Sequence, residues 1–409
     1  MWSLKSSSLR TYSIWQLVLS VIAILLLWMA ALLLFGLGLL EVFSSGGSLN
    51  QGLSMFMTAA VSIFSSLLVA PSAAFSLYTI LGRQSESLRI PAWLGKPLGW
   101  LLAFPVVIWL GNLVSGTDIA WLLLPGLHIL GIGLPVLWML YLATRELPLG
   151  SLQRRWGVFA SGLVLGPGLI LIAEGVALVI LLVFLGVWLS GQPALMEQLA
   201  AFSDWTVNPD LNPDELLEAL APVLLTPWAL ALALLFVAVL VPLIEELFKP
   251  IGVWLLFGRK LTPAAGFAAG AISGAGYALF ESLALTLGGD SWATVVLARV
   301  GTAAVHILTS AITGWALVQA WQKRDFLRLL FAYTFGVILH GLWNGLAVVS
   351  VFASLSNLVE EPAQWLLLLQ PAVYATFLVG FLALASLAGL IGFNRKLALD
   401  RRKKVAETA

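Results

Sequence analysis

Five side chains able to move protons or hold charge lie inside long apolar stretches: Glu245, Glu246, His306, His340 and Asn344. Together these types make a hydrolytic set. A buried carboxylate, Glu245 or Glu246, can act as general base on a water held in a cavity. Asn344 and a histidine can stabilise the oxyanion of an amide tetrahedral intermediate. Two imidazoles and a carboxylate (His306, His340 and Glu246) are also the ligand set of a catalytic zinc, which keeps one position for water. No His-Glu-x-x-His helix is present, so such ligands would come from three separate segments. Buried Glu and His also serve proton or ion relays in carriers, and spacing alone leaves hydrolase and carrier both open.

Depth argues that these groups act together. Counted along a helix, Glu245 lies ~21 Å from Arg259, His306 ~25 Å from Lys323 and His340 ~18 Å from Arg328. Three titratable groups on three segments thus reach one level, well inside a hydrocarbon core of ~30 Å. Each charge there costs ~2.5 kcal/mol or more, so such a cluster is a functional-site hypothesis by default. Pro242 and Pro250 bracket the Glu pair; each lacks an N–H, so a kink is expected beside the acids. Spacing of four predicts shared helix faces for His340 with Asn344 and His306 with Ser310, and a local ion pair of Glu245 with Lys249. Gly266, Gly270 and Gly274 form a small-residue strip that fits either tight helix packing or room for substrate, with Gly274–Tyr277 at the depth of the Glu pair. Glu281 and Arg299 stand equally far from Asp290, which predicts a buried ion pair closing the outer end of the cavity. His128 has no polar neighbour at helical spacing and is expected to be packed and hydrogen-bonded, and Glu174 to make an interior polar contact.

The elements that must position these groups are helices. Of 409 residues 60% are hydrophobic and 10% charged, with mean hydropathy +1.00. That composition excludes a soluble globular chain and predicts an all-α polytopic transmembrane bundle. No cysteine is present, which excludes disulfides, cysteine catalysis and thiolate metal sites. Net charge of +1 gives no sign of nucleic-acid binding. Ten apolar segments are read: 14–40, 53–81, 97–114, 119–143, 157–189, 222–257, 263–287, 292–321, 328–352 and 365–393. The first is too long for a signal peptide and reads as a retained span. The fifth is expected to break at Gly166-Pro167-Gly168. Basic and acidic connections alternate, so both termini are expected in the cytoplasm of a multi-pass cell-membrane protein. Expected divisions are N-terminal helices of uncertain role (1–190), an acidic extracytoplasmic loop (191–221) with a short interfacial helix at 214–220, a catalytic core (222–352), and a last helix with a basic tail (353–409). The tail reads as an anchor to anionic lipid.

At this point the motifs resemble a known family. Glu245-Glu-Leu-Phe-Lys249 matches an EExxK motif, and Gly274-Ala-Gly-Tyr-Ala-Leu-Phe-Glu281 is similar to a glycine-rich second motif ending in Glu. Arg299 through His306 to Gly314 resembles the third, and His340-Gly-Leu-Trp-Asn344 the fourth, HxxWN. Over residues 241–345 the chain resembles the PrsW intramembrane proteases, a family related to the CAAX prenyl endopeptidase and bacteriocin-processing superfamily. Ser282 departs from the pattern, standing where Asn often follows the Glu. The resemblance implies a membrane-embedded endopeptidase, glutamic or metal-dependent, acting on a membrane-associated protein; relatives of this type cleave an anti-sigma factor in regulated signalling. It implies water activation by the glutamates and a histidine, and oxyanion binding by a histidine and Asn344; the ion pairs expected from spacing give Lys249, Glu281 and Arg299 supporting roles. A carrier would show inverted repeats with matching broken helices; the Pro-bracketed break has no counterpart in the first half.

Overall fold

The computed structural model describes residues 2–45, 49–83, 97–193, 225–286, 289–356 and 372–408. Among them every regular element is helical. The helices are α1 (Trp2–Ser45), α2 (Leu53–Ile80), α3 (Pro97–Val114), α4 (Ala120–Thr144), α5 (Leu152–Ala160), α6 (Gly166–Ser190), α7 (Pro227–Ala233), α8 (Val241–Phe248), α9 (Ile251–Trp254), α10 (Pro263–Ala284), α11 (Trp292–Lys323), α12 (Phe326–Ser356) and α13 (Ala372–Thr408). Short π-helical segments, Ser161–Leu165 and Leu234–Leu240, join α5 to α6 and α7 to α8. Eight stretches are long and apolar enough to cross a membrane. The other two segments are the short α3 and the α10 helix, whose Gly, Ala and Ser content lowers its hydropathy. The protein is a polytopic helical membrane protein. The acidic loop, its 214–220 helix, and Glu360 and Glu361 lie outside the described residues.

Helix starts follow from capping chemistry. Thr226 and Thr262 each precede a proline and accept from the backbone N–H three residues on, Ala229 at 3.3 Å and Ala265 at 3.2 Å. The expected break at Gly166-Pro167-Gly168 is instead the π-helical widening before it, and the helix continues from Leu152 to Ser190. Pro167 cannot donate to Leu163, and the wider turn absorbs the missing bond without ending the helix.

Packing divides the chain into two compact units that do not follow chain order. The first joins Met1–Gly168, Leu247–Thr334 and Ala383–Ala409. At its centre α10 runs buried from Ala265 to Leu279. A Cβ on Gly266 would lie 2.5 Å from the Gly314 carbonyl oxygen, one on Gly270 would collide with that of Ser310, and one on Gly274 would lie 2.8 Å from that of His306. The glycine strip is therefore a packing seam against α11. On its other side, a Cβ on Gly276 would lie 2.5 Å from the Phe159 carbonyl oxygen. Gly270→Val should thus destabilise by about 1–3 kcal/mol or more through overpacking. The check is the amount of protein accumulating in the membrane and its thermal midpoint in detergent, both expected to fall well below wild type.

Polar side chains also tie the helices of this unit together. His128 is buried with Nε2 3.3 Å from the Leu283 carbonyl oxygen, the packed and bonded state expected of it. Gln16 donates to Ser72 Oγ at 3.0 Å, and Gln153 donates to Ser13 Oγ at 2.7 Å, tying α1 to α2 and α5. On α13, Phe393 stacks on Phe267 with centroids 5.1 Å apart, and Asn394 donates to the last carbonyls of α4, Ala143 at 2.8 Å and Arg145 at 3.1 Å. In the tail, Arg402 pairs with Glu146 at 2.6 Å.

The second unit joins Leu169–Glu246 and Phe335–Leu382. Trp188 and Trp228 lie 5.9 Å apart, and Leu225 and Phe352 form a small core with Leu230, Ala233, Val348 and Leu355. Glu174 is half-buried in this unit.

Candidate active site

In the second unit, α8 carries Glu245 and Glu246, and α12 carries His340 and Asn344. Glu245, Glu246 and His340 are all buried. His340 Nδ1 lies 3.2 Å from Glu246 Oε1, and Nε2 lies 3.8 Å from Glu245 Oε2. With its proton on Nδ1, the imidazole donates to Glu246 and turns the Nε2 lone pair toward Glu245. Asn344 shares the helix face of His340, as its spacing predicts, and donates through Nδ2 to the Val237 carbonyl oxygen at 2.9 Å. Gly341 lies between them on α12, and a Cβ there would collide with the Ala238 carbonyl oxygen. Its lack of a side chain lets the helix approach the π-helical segment.

In the first unit, His306 on α11 is buried and bonded at both ring nitrogens. Nδ1 lies 2.7 Å from Lys249 Nζ, and Nε2 lies 2.5 Å from Glu281 Oε2. An ammonium can only donate, so Nδ1 accepts and Nε2–H donates to Glu281. The other oxygen of Glu281 lies 2.6 Å from Arg299 Nη2. Tyr277 sets its ring edge-on to His306, centroids 5.2 Å apart, and carries Lys249 Nζ 5.0 Å from its own centroid. Lys249 is fully buried, which its partners His306 and Tyr277 make tolerable.

The Glu281–Arg299 pair stands as its symmetric placement about Asp290 predicts. The α8 helix ends at Phe248, one residue short of Lys249, because Pro250 cannot donate back into the turn. Ser273 closes this break, donating to the Lys249 carbonyl oxygen at 2.6 Å and accepting from Gly252 N at 3.3 Å. Ser310 faces Gly274, as the His306 carbonyl oxygen does: a Cβ there would lie 2.7 Å from Ser310 Cβ and 2.8 Å from that oxygen. Sequence reasoning missed Ser273, the Tyr277 ring and the His306 partner of Lys249. The signal available for Ser273 was Pro250, whose turn leaves backbone groups in need of partners.

Glu281→Gln should weaken its hold on both Arg299 and His306, and Arg299→Ala should leave Glu281 with less countercharge. Each should destabilise by about 3–5 kcal/mol if the pair is fully dry, and less because Glu281 is 29% exposed. The exchange Glu281→Arg with Arg299→Glu should recover part of the thermal midpoint lost in either single change. A double variant no better than the singles would count against the pairing.

Each motif histidine therefore has a carboxylate on one ring nitrogen: Glu246 on His340 and Glu281 on His306. Carboxylate-buttressed imidazoles are what metal centres use to fix tautomer and ring orientation. His306 Nδ1 carries the ring's lone pair, now accepting from Lys249, and would take a metal cation there once Lys249 Nζ withdraws from it. Two ligand atoms on one ion with bonds of ~2.0–2.1 Å lie ~4 Å apart at most, and His340 Nε2 and Glu245 Oε2 at 3.8 Å fit within that limit. The donor set thus fits a divalent metal.

No curated protein and no solved structure matches the chain. The model of one family, described as PrsW family intramembrane metalloprotease, matches residues 156–379. The match covers more than half of the chain and takes in all four motifs, the Glu pair on α8 and both buttressed histidines among them. The chain belongs to the PrsW family of intramembrane metalloproteases.

Proposed function

We propose that this protein hydrolyses a peptide bond in a membrane-associated protein, within or beside the bilayer, as a step in regulated proteolysis. The observation that carries the reading is the pairing of both motif histidines with carboxylates, Glu246 with His340 and Glu281 with His306. Structural burial alone would be served by neutral partners, whereas water activation and metal binding need such tuned imidazoles.

In the second unit, Glu245 and His340 are the residues that would hold the ion. The sequence pointed to Glu246 as the carboxylate ligand, but Glu245 faces Nε2 while Glu246 is engaged at Nδ1. When bound, a divalent ion would polarise the attacking water and the scissile carbonyl. Glu246 keeps His340 in one tautomer through one oxygen and takes the water proton on the other. Glu281, braced by Arg299, does the orienting for His306. Lys249 adds positive charge beside His306, where it offsets the charge of an oxyanion. His306 joins this proposal on its family motif and its depth in the sequence.

The test is mass spectrometry of membrane-protein fragments in cells carrying wild type or Glu245→Gln. Fragments that appear only with wild type support the reading. Indistinguishable fragment sets at equal protein levels would refute it.

A further inference from the structure

We infer that Asn344 is a positioning residue: its amide replaces the backbone donor that Pro242 removes, and so holds the π-helical register that aims Glu245 and Glu246. Asn344, Pro242 and the Glu pair all lie in the second unit, and the effect on catalysis rests on the role proposed above for that pair. In the segment Leu234–Leu240, carbonyls bond five residues ahead, and Val241 N–H accordingly donates to the Phe236 carbonyl oxygen. That commits the N–H four residues after Val237. The position five residues after Val237 is Pro242, which has no N–H. The helix itself offers the Val237 carbonyl no donor in either register. Inside a bilayer no water replaces one, and an unmet carbonyl there is costly. Asn344 Nδ2 supplies the bond at 2.9 Å.

The consequence reaches the acids. A π-helical insertion turns everything after it by about 100°, one residue's worth of rotation. Glu245 and Glu246 begin three residues beyond Pro242, so their direction depends on that register being kept. The same face of α12 grips the segment at two levels. Asn344 holds Val237, and His340 meets Glu246 at 3.2 Å. Gly341 between them permits the close approach, since a Cβ there would collide with the Ala238 carbonyl oxygen. An amide committed to the backbone in this way shapes the site and does not need to touch the substrate.

The decisive experiment is genetic suppression. Pro242→Ala returns an N–H at the position five residues after Val237. Asn344→Ala, Pro242→Ala and the double variant are compared for accumulation in the membrane, thermal midpoint in detergent, and kcat and KM. The substrate used is the membrane protein whose fragments depend on Glu245. Asn344→Ala should lower the thermal midpoint and reduce kcat about 10–100-fold, as loss of an orienting partner does, with KM within about twofold. Adding Pro242→Ala should restore most of both. If Asn344→Ala fails to accumulate, recovery of accumulation in the double variant is the supporting result. A double variant as impaired as Asn344→Ala, in accumulation or in kcat, overturns the inference. So does an Asn344→Ala protein of wild-type thermal midpoint but lost kcat, the mark of an oxyanion donor. The stability arm needs no protease activity, so it stands apart from the fate of the proposed function.

Discussion

Glu246→Gln should leave the protein folded and metal-loaded but reduce cleavage by about 10²–10⁴-fold, the range a positioned general base contributes. The glutamine oxygen can still accept from His340 Nδ1, which lies 3.2 Å from Glu246 Oε1. The tautomer is therefore kept, and only the ability to take up a proton is lost. The burial of Glu246 makes the substitution sterically mild, since glutamine matches its shape and needs no countercharge. Initial rates at saturating substrate, together with the thermal midpoint, check this. A rate within threefold of wild type would remove Glu246 from the proton path.

The second large effect concerns metal. Purified wild-type protein should contain about one divalent ion per chain, and prolonged chelation should abolish cleavage until zinc is returned. His340→Ala, His306→Ala and Glu245→Gln should each lose the ion together with activity, while Glu246→Gln keeps it. Elemental analysis of the four variants gives the pattern directly. Full activity after exhaustive chelation would leave the buttressed histidines to water activation alone.

What the sequence disclosed was what depends on counting along helices. Equal distance from Asp290 placed Glu281 against Arg299, and the lone apolar setting of His128 foretold its packed, bonded state. The four-residue spacing put Asn344 on the His340 face of α12. What escaped was whatever changes the count itself. Hydropathy does not register a π-helical insertion, because one extra residue in an apolar run stays apolar. The widened segments at Ser161–Leu165 and Leu234–Leu240 were therefore not foreseen. The turn at Pro250 ended α8 before Lys249, and the bond of that lysine to His306 spans 57 residues of sequence. The glycine strip fitted two readings until the carbonyls of Ser310 and Gly314 were seen where side chains would stand. Compact units assembled from separated stretches, with Leu247–Thr334 joined to Met1–Gly168, follow from tertiary packing that no local pattern encodes.

Peptide hydrolysis inside the membrane is the central claim, and oxygen labelling tests it most directly. Wild type and Glu246→Gln are reconstituted in lipid vesicles with the membrane protein whose fragments depend on Glu245, in water enriched in oxygen-18. Wild type should yield a fragment whose new C-terminal carboxyl carries one heavy oxygen, and Glu246→Gln should yield almost none. Equal fragment yields from the two proteins, or a wild-type fragment without the heavy oxygen, would contradict the account.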